Sequence, residues 1–217
     1  MKIDKNSHGT LAVVYAVILV IILAGMILKA PTWLWMVIYV FSLVFGVWQT
    51  LFFRVPNRKK HGDSRKVSSV ADGKVVIIDR VFEKEFLKRD CIMVSVYMNF
   101  FDVHANFWPV TGEITYSCYH PGKHILAFKP KASEDNEHHC VGIRTPEGKE
   151  LFFKQLAGTF ARRIVNYARV GDQVTAGEQC GIIKFGSRID LYLPLDADIR
   201  VRLGELTRAC ETILAEL

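Results

Sequence analysis

A serine, a histidine and an aspartate on separate segments make up the set of side chains that can form an activated serine hydroxyl. Asp72 lies in a turn before an apolar run, His104 lies among aromatic residues, and Ser187 follows Gly186 inside an apolar stretch. A serine becomes nucleophilic when a histidine accepts its proton and a carboxylate orients that histidine. Each residue alone is weak evidence, because Asp-Gly pairs are common in turns and a glycine within a strand usually marks a bulge.

Two common classes of site are disfavoured. The Gly-x-Ser-x-Gly elbow of the α/β-hydrolases is absent from the sequence. The five cysteines are an odd number and none forms a Cys-x-x-Cys pair, so neither a disulfide framework nor a zinc site is expected. The sequence therefore predicts free thiols and no metal.

The N-terminal quarter is apolar enough to enter a membrane. Residues 10–28 and 32–53 contain no charged side chain, and Lys29, Ala30 and Pro31 separate them. A spanning helix needs about 20 apolar residues. We predict a membrane hairpin with a basic flank over residues 1–66. Basic residues cluster after the second stretch, and this positive charge places both ends of the hairpin in the cytoplasm.

Residues 67–217 are expected to form a mainly β cytoplasmic domain. Short apolar runs bounded by Gly, Pro, Asn or Asp recur through this region. The run "VGDQVTAGEQCGII" has the turn-and-strand spacing of lipoyl/biotinyl-type domains, although no lysine stands at a hairpin tip. We therefore predict a barrel-sandwich-like fold with a few helices, two of them at about residues 159–167 and 206–217.

The net charge of +6 indicates an anionic partner. Because the positive side chains cluster beside the apolar segments, this partner is expected to be the cytoplasmic membrane surface and not a nucleic acid.

Seven motifs in a fixed order resemble the phosphatidylserine decarboxylase family in its short bacterial and archaeal form. They are "ADGKV" (71–75), "FDVHANFWPVTGEI" (101–114), "HPGKH" (120–124), "SEDNEHH" (133–139), "QLAGTFARRIV" (155–165), "GDQVTAGEQCGIIKFGSR" (171–188) and "DLYLP" (190–194). The resemblance extends from about residue 67 to residue 194, and the apolar hairpin also fits it.

The resemblance implies that the chain cuts itself between Gly186 and Ser187. Ser187 would attack the Gly186 carbonyl, with His104 as the base and Asp72 orienting it. Elimination and hydrolysis would then leave a covalent pyruvoyl group derived from Ser187. Two chains would result, residues 1–186 and 187–217, packed in one sheet.

The resemblance also implies a lipid substrate. The pyruvoyl ketone would accept the amine of a serine-headgroup phospholipid, and loss of CO2 would leave the ethanolamine lipid. Arg188, Arg162 and Arg163 are candidates to hold the lipid phosphate. One departure concerns Phe107, which stands where longer members of the family carry a second histidine. Four other histidines are possible helpers, although each is expected to be an exposed loop residue: His120, His124, His138 and His139.

Two alternatives stay open at the level of sequence. The substrate could be an archaeal ether lipid with the same serine headgroup, because the catalytic residues do not contact the lipid tails. The chain could instead be a membrane-anchored barrel-sandwich adaptor without catalysis. The resemblance is compatible with a homo-oligomer but does not define one.

Overall fold

The computed structural model describes residues 1–58, 63, 65–125, 132–158, 163–184 and 187–217. The chain divides into two compact units, Met1–Pro56 and Asn57–Leu217. The boundary between them lies inside the basic flank that follows the apolar segments.

The first unit is a helical hairpin. Helix α1 (His8–Ile27) and helix α2 (Thr32–Phe52) are each about 30 Å long by the rise of an α-helix. The short strands β1 (Lys2–Ile3) and β2 (Arg54–Val55) pair antiparallel beside the helix ends. The predicted N-terminal apolar helices are therefore confirmed.

The hairpin exposes its apolar side chains. Met26 and Phe41 are more than two-thirds exposed, and most other large apolar side chains of both helices are exposed too. Both helices are long and apolar enough to cross a membrane. Between the helices, the Tyr15 and Thr50 hydroxyls share a hydrogen bond, and the Tyr39 hydroxyl donates to the Ile22 carbonyl at 3.2 Å. These bonds satisfy polar groups that would otherwise face an apolar medium.

The second unit is mainly β, as the sequence predicts. Its described elements are β3 (Lys66–Ser68), β4 (Gly73–Glu83), β5 (Arg89–Met98), β6 (Ala105–Phe107), β7 (Gly112–His120), α3 (Ala132–Asp135), β8 (His138–Arg144), β9 (Glu150–Ala157), β10 (Arg163–Asn166), β11 (Gln173–Val174), β12 (Gln179–Lys184), β13 (Ser187–Leu193), β14 (Asp198–Ile199), β15 (Leu206–Thr207) and β16 (Ile213–Glu216).

Three antiparallel sheets organise these strands. The largest has eight strands in the order β11-β7-β8-β9-β13-β5-β4-β15, and two three-stranded sheets have the orders β10-β12-β6 and β14-β16-β3. Strand β13 lies inside the large sheet, where it pairs with β5 on one side and β9 on the other.

The two faces of the large sheet differ in composition. Alternation along β13 places Ser187, Ile189 and Leu191 on one side, here called the core face, which packs on the main hydrophobic core. Arg188, Asp190 and Tyr192 lie on the other side, here called the outer face. A smaller apolar cluster covers part of the outer face: Cys91, Met93, Cys140, Phe152 and Tyr192.

The two helices predicted in this unit are wrong where the structure describes them. Residues 163–166 form β10, whose Ile164 and Val165 pair with Ile183 and Ile182 of β12. Residues 159–162 lie outside the described residues. The C-terminal segment forms β15 and β16, and Leu214 is buried in the main core. Pairing with distant strands determines the secondary structure of both segments, and this pairing cannot be predicted from the local sequence.

Candidate active site

Ser187 begins the central strand β13. It is fully buried between Met98 of β5 and Ala157 of β9, which are its partners in register. Among the described residues, its Oγ lies 3.8 Å from Met98 Sδ, the geometry of a weak hydrogen bond. Gly186, whose carbonyl the sequence analysis makes the target of attack, lies outside the described residues.

The backbone of His104 contacts β12, the strand that precedes Ser187 in the sequence. It is fully buried and immediately precedes β6, and its backbone carbonyl accepts the Ile183 amide of β12 at 3.3 Å. Its Nδ1 lies 3.0 Å from the Asp102 carbonyl oxygen. A carbonyl only accepts, so Nδ1 carries the proton and the lone pair of the neutral ring is on Nε2. This is the tautomer that a general base requires.

Asp72 has partners that the sequence analysis did not select. The Arg58 guanidinium forms two hydrogen bonds with its carboxylate, one of them Nη2–Oδ2 at 2.6 Å, and the Ala209 amide donates to Oδ1 at 2.8 Å. Burial disfavours the charged guanidinium, but the Asp72 hydrogen bond and charge outweigh it, so the pKa of Arg58 is raised. Orientation of His104 by Asp72 stays a prediction, because the hydrogen-bond partners of this carboxylate within the described part of the chain are Arg58 and Ala209.

The backbone beside Asp72 also requires a glycine. Gly73 has a φ of 152°, and a Cβ atom there would lie 2.1 Å from the Tyr97 carbonyl oxygen. This close approach packs the start of β4 against the end of β5, next to Met98. The "ADGKV" motif thus places Asp72 at the same end of the sheet as Ser187.

Removal of Arg58 tests the structural role of this ion pair. We expect Arg58→Met to lower the free energy of unfolding of the second unit by about 3–5 kcal/mol, because it leaves a carboxylate that is 14% exposed without its cation. Thermal denaturation in detergent measures this change. Arg80→Met is the matched control, since the Arg80–Asp90 pair is exposed and should contribute less than about 1 kcal/mol. Equal effects of the two substitutions would contradict the assignment.

Ser187 and Arg188 point to opposite faces of the sheet. Arg188 is fully buried on the outer face, where its Nε lies 2.7 Å from Asp190 Oδ1 in an ion pair and its Nη2 donates hydrogen bonds to Asp190 Oδ2 and to the Ser133 hydroxyl. Arg163 is exposed on β10 and pairs in register with Lys184, and Arg162 lies outside the described residues. Phosphate binding stays a prediction for all three arginines, and the geometry favours Arg163 over Arg188.

Sequence analysis missed a chain of amides that meets the core face at Gln155, in which Asn106 and Gln155 are fully buried and Asn166 is half-buried. Asn166 donates to Gln155 at 2.7 Å, Gln155 donates to Asn106 at 2.7 Å, and Asn106 Nδ2 lies 3.7 Å from Met98 Sδ. Met98 in turn contacts Ser187, so this chain supports the wall of the site. The available signal was the isolated amides in the apolar runs "HANF" and "FFKQLAG".

The loop expectation for the additional histidines is wrong for three of the four. His120 ends β7, and His138 and His139 lie in β8. His139 faces the core, where its Nε2 lies 3.0 Å from Ser117 Oγ. Burial, together with coulombic repulsion by the neighbouring His120 and His138 rings, lowers the pKa of His139 to about 4, so this ring is neutral near pH 7. His124 is an exposed loop residue, as expected, and its Nε2 lies 2.8 Å from Glu137 Oε2.

Comparison with known proteins identifies the family of this chain. The family model described as phosphatidylserine decarboxylase matches residues 45–215, which include Asp72, His104 and Ser187. The chain belongs to the phosphatidylserine decarboxylase family. The resemblance found in the sequence is thereby confirmed, and members of this family are carboxy-lyases.

Similar proteins extend the match to the whole chain. The chain is 38% identical over 222 residues to a protein of Porphyromonas gingivalis, covering 100% of this chain and 99% of the relative. It is 44% identical over 176 residues to a protein of Amoebophilus asiaticus, covering 81% and 78%. A Bacteroides thetaiotaomicron protein is 43% identical over 182 residues, covering 83% and 80%. All three relatives are named phosphatidylserine decarboxylase proenzyme.

Proposed function

We propose that this chain is a self-processing, pyruvoyl-dependent enzyme that decarboxylates phosphatidylserine to phosphatidylethanolamine. One observation carries the proposal beyond family membership. A buried serine begins a central strand directly after Gly186, and the backbone of a buried histidine bonds to the strand that precedes this junction. The relatives' shared name, proenzyme, describes a precursor that must be processed.

Self-cleavage requires one nucleophile and one proton acceptor. The Ser187 Oγ attacks the Gly186 carbonyl carbon, the amide C–N bond breaks, and the hydroxyl proton passes through the base to the freed Ser187 nitrogen. Loss of the Ser187 α-proton then breaks the Cβ–O ester bond and releases the Gly186 carboxylate. Addition of water and loss of ammonia complete the conversion, so the sequence consumes water and involves no redox change.

His104 is the base in this proposal. Its Nδ1–H is held by the Asp102 carbonyl, so Nε2 keeps the lone pair that accepts a proton. Burial keeps competing water away from the ring. Positioned general bases contribute about 10²–10⁴ in rate.

The surroundings of Ser187 fit a small ketone. Met98 and Ala157 flank the position, and their side chains are apolar or weakly polar. Neither side chain carries an amine that could add to the ketone. A pyruvoyl group at position 187 would supply the electron sink for loss of CO2 from the serine headgroup. His104 would hold the proton that replaces the lost carboxylate.

The sheet explains how the two chains stay together after cleavage. In the proposed small chain, residues 187–217, β13 pairs with both β5 and β9. Strands β15 and β16 of the same segment pair with β4 and β3. The products should therefore separate only under denaturing conditions.

We place the enzyme at the cytoplasmic membrane, with the catalytic unit on the cytoplasmic side. The apolar hairpin supplies an anchor and the basic residues beside it favour the cytoplasmic leaflet. An ether lipid with the same headgroup is the second candidate substrate. The proposed reaction takes place on the serine headgroup, so the site residues do not discriminate between lipid tails. A non-catalytic adaptor is disfavoured by membership of a decarboxylase family.

Activity of the purified full-length protein tests the substrate assignment. We expect detergent-solubilised protein to convert phosphatidylserine to phosphatidylethanolamine with release of one CO2 per lipid, measured by lipid mass spectrometry. Phosphatidylcholine, which has no carboxylate, is the control lipid. A serine-headgroup ether lipid tests the second candidate. Cleaved protein that converts neither serine lipid would overturn the proposal.

A further inference from the structure

Four metal-binding side chains converge on the outer face, away from Ser187. Glu85, His120, His138 and Cys140, here called the four-ligand cluster, place one ligand atom each within 4.8 Å of one another. His138 and Cys140 are buried, whereas Glu85 and His120 are part-exposed. The cluster is thus both largely enclosed and reachable from solvent.

Strand register brings three of these ligands together. His120 of β7 pairs with His138 of β8, and their rings stack with centroids 4.7 Å apart. Cys140 lies two residues after His138, so strand alternation places both side chains on the same face. His138 Nδ1 donates to the Asn136 carbonyl at 2.6 Å, which leaves Nε2 as the ligand atom. Such a second hydrogen bond is typical of metal-bound histidines.

The fourth ligand is held by the turn between β4 and β5. The Glu83 carboxylate accepts the backbone amides of Glu85, Phe86 and Leu87 at 2.7–2.8 Å and so fixes the turn. Phe86 stacks on Phe152 of β9, with ring centroids 5.8 Å apart. The turn is therefore anchored over the sheet with the Glu85 side chain directed at the cluster.

The carboxylate of Glu85 contacts two of the other ligands. Its Oε1 lies 2.7 Å from His120 Nε2, and its Oε2 lies 3.3 Å from Cys140 Sγ. The Tyr116 hydroxyl donates to Oε1 at 2.9 Å. These contacts link the ligands before any ion binds, so little ordering would be needed on binding.

Within the part of the chain that the structure describes, Lys154 is a cation that faces the cluster. Its Nζ lies 3.4 Å from Glu85 Oε2 and 5.5 Å from the centroid of the Phe152 ring. The complex of a divalent ion with one thiolate and one carboxylate has no net charge. It therefore does not repel the Lys154 ammonium, which can remain in place. It can stay paired with Oε2 while Oε1 binds the ion.

We propose that the four-ligand cluster is a structural zinc site that ties the β4–β5 turn to strands β7 and β8. Two imidazoles, one thiolate and one carboxylate suit tetrahedral Zn²⁺, whereas Mg²⁺ and Ca²⁺ prefer oxygen ligands alone. Binding displaces the Cys140 thiol proton into solvent. All four positions are filled by protein, so the site stabilises the fold and does not depend on the proposed decarboxylation.

Zinc binding to the full-length protein in detergent tests this site directly. After removal of metal with a chelator under reducing conditions, Zn²⁺ alone should bind at one ion per chain, measured by plasma mass spectrometry after gel filtration, and should raise the melting temperature. We expect Cys140→Ser and His120→Gln each to weaken zinc binding by at least about 100-fold, since even loss of a supporting hydrogen bond costs about 10–100-fold. Co²⁺ provides a second readout, because its thiolate charge-transfer absorption should disappear in Cys140→Ser.

Two neighbouring positions provide matched controls. His139 lies between His138 and Cys140 but faces the core, and Cys118 pairs with Cys140 in register but lies outside the cluster. His139→Gln and Cys118→Ser should both bind zinc like the unchanged protein. Zinc at only trace levels in the unchanged protein would overturn the proposal, as would an equal loss in His139→Gln. A loss in Cys118→Ser that matches Cys140→Ser would overturn the assigned ligand set.

Discussion

Ser187→Ala should yield one uncut chain and no detectable decarboxylation. Alanine has no hydroxyl, so it can neither attack the Gly186 carbonyl nor become a ketone. The unchanged protein should separate into residues 1–186 and 187–217 on a denaturing gel. Intact-mass measurement should also show that the small chain begins with a ketone and not with an amine.

A second serine separates this effect from general damage to the fold. Ser117 also lies on the core face, where its hydroxyl contacts His139. Ser117→Ala should be cleaved and should be active. Cleavage of the Ser187→Ala chain at the same position would show that another group attacks, and active unchanged protein that stays uncut would end the proposal.

His104→Gln should slow self-cleavage by about 10²–10⁴, the contribution of a positioned general base. Glutamine is similar in size and can keep the hydrogen bond to the Asp102 carbonyl, but it does not accept a proton near pH 7. The fraction of cleaved chain should therefore rise slowly after synthesis, as followed by denaturing gel over hours to days.

The same variant can separate processing from turnover. Decarboxylation is measured per cleaved chain, so that a slow first reaction does not hide the second. If His104 also supplies the proton that replaces CO2, the rate per cleaved chain should fall as well. His124→Gln is the control, because the exposed His124 pairs with Glu137 and neither proposed step uses it, although the sequence named it as a possible helper. Cleavage of His104→Gln at the unchanged rate would assign the base to another residue.

Structural elements whose sequence pattern lies within one segment of the chain were predicted correctly. Two uncharged stretches of about 20 residues can hardly be anything but long apolar helices, and the structure has them at His8–Ile27 and Thr32–Phe52. The short apolar runs bounded by Gly, Pro, Asn or Asp likewise indicated a mainly β second unit, which the structure has. The ordered motifs also identified the family, because several matches in a fixed order are specific where a single Gly-Ser pair is not.

The errors fell where a distant partner decides the structure. Residues 163–166 and the C-terminal segment were expected to be helical, but Ile164 bonds to β12 and Ile213 to β3. Likewise, Arg58 belongs to the basic cluster that follows the second apolar stretch, but its side chain pairs with Asp72. None of these partners is adjacent in sequence, so local composition could not identify them.

By itself, the sequence determined the apolar hairpin, the mainly β second unit and the family, and it supplied Ser187, His104 and Asp72 as the residues proposed for self-cleavage. Only the tertiary structure decided that Arg58 pairs with Asp72, and that Glu85, His120, His138 and Cys140 meet on the outer side of the large sheet. The physical reason is that backbone propensity and apolar periodicity are properties of neighbours in the chain. The contacts of a charged or metal-binding side chain depend instead on strand register, which forms only when distant segments pair.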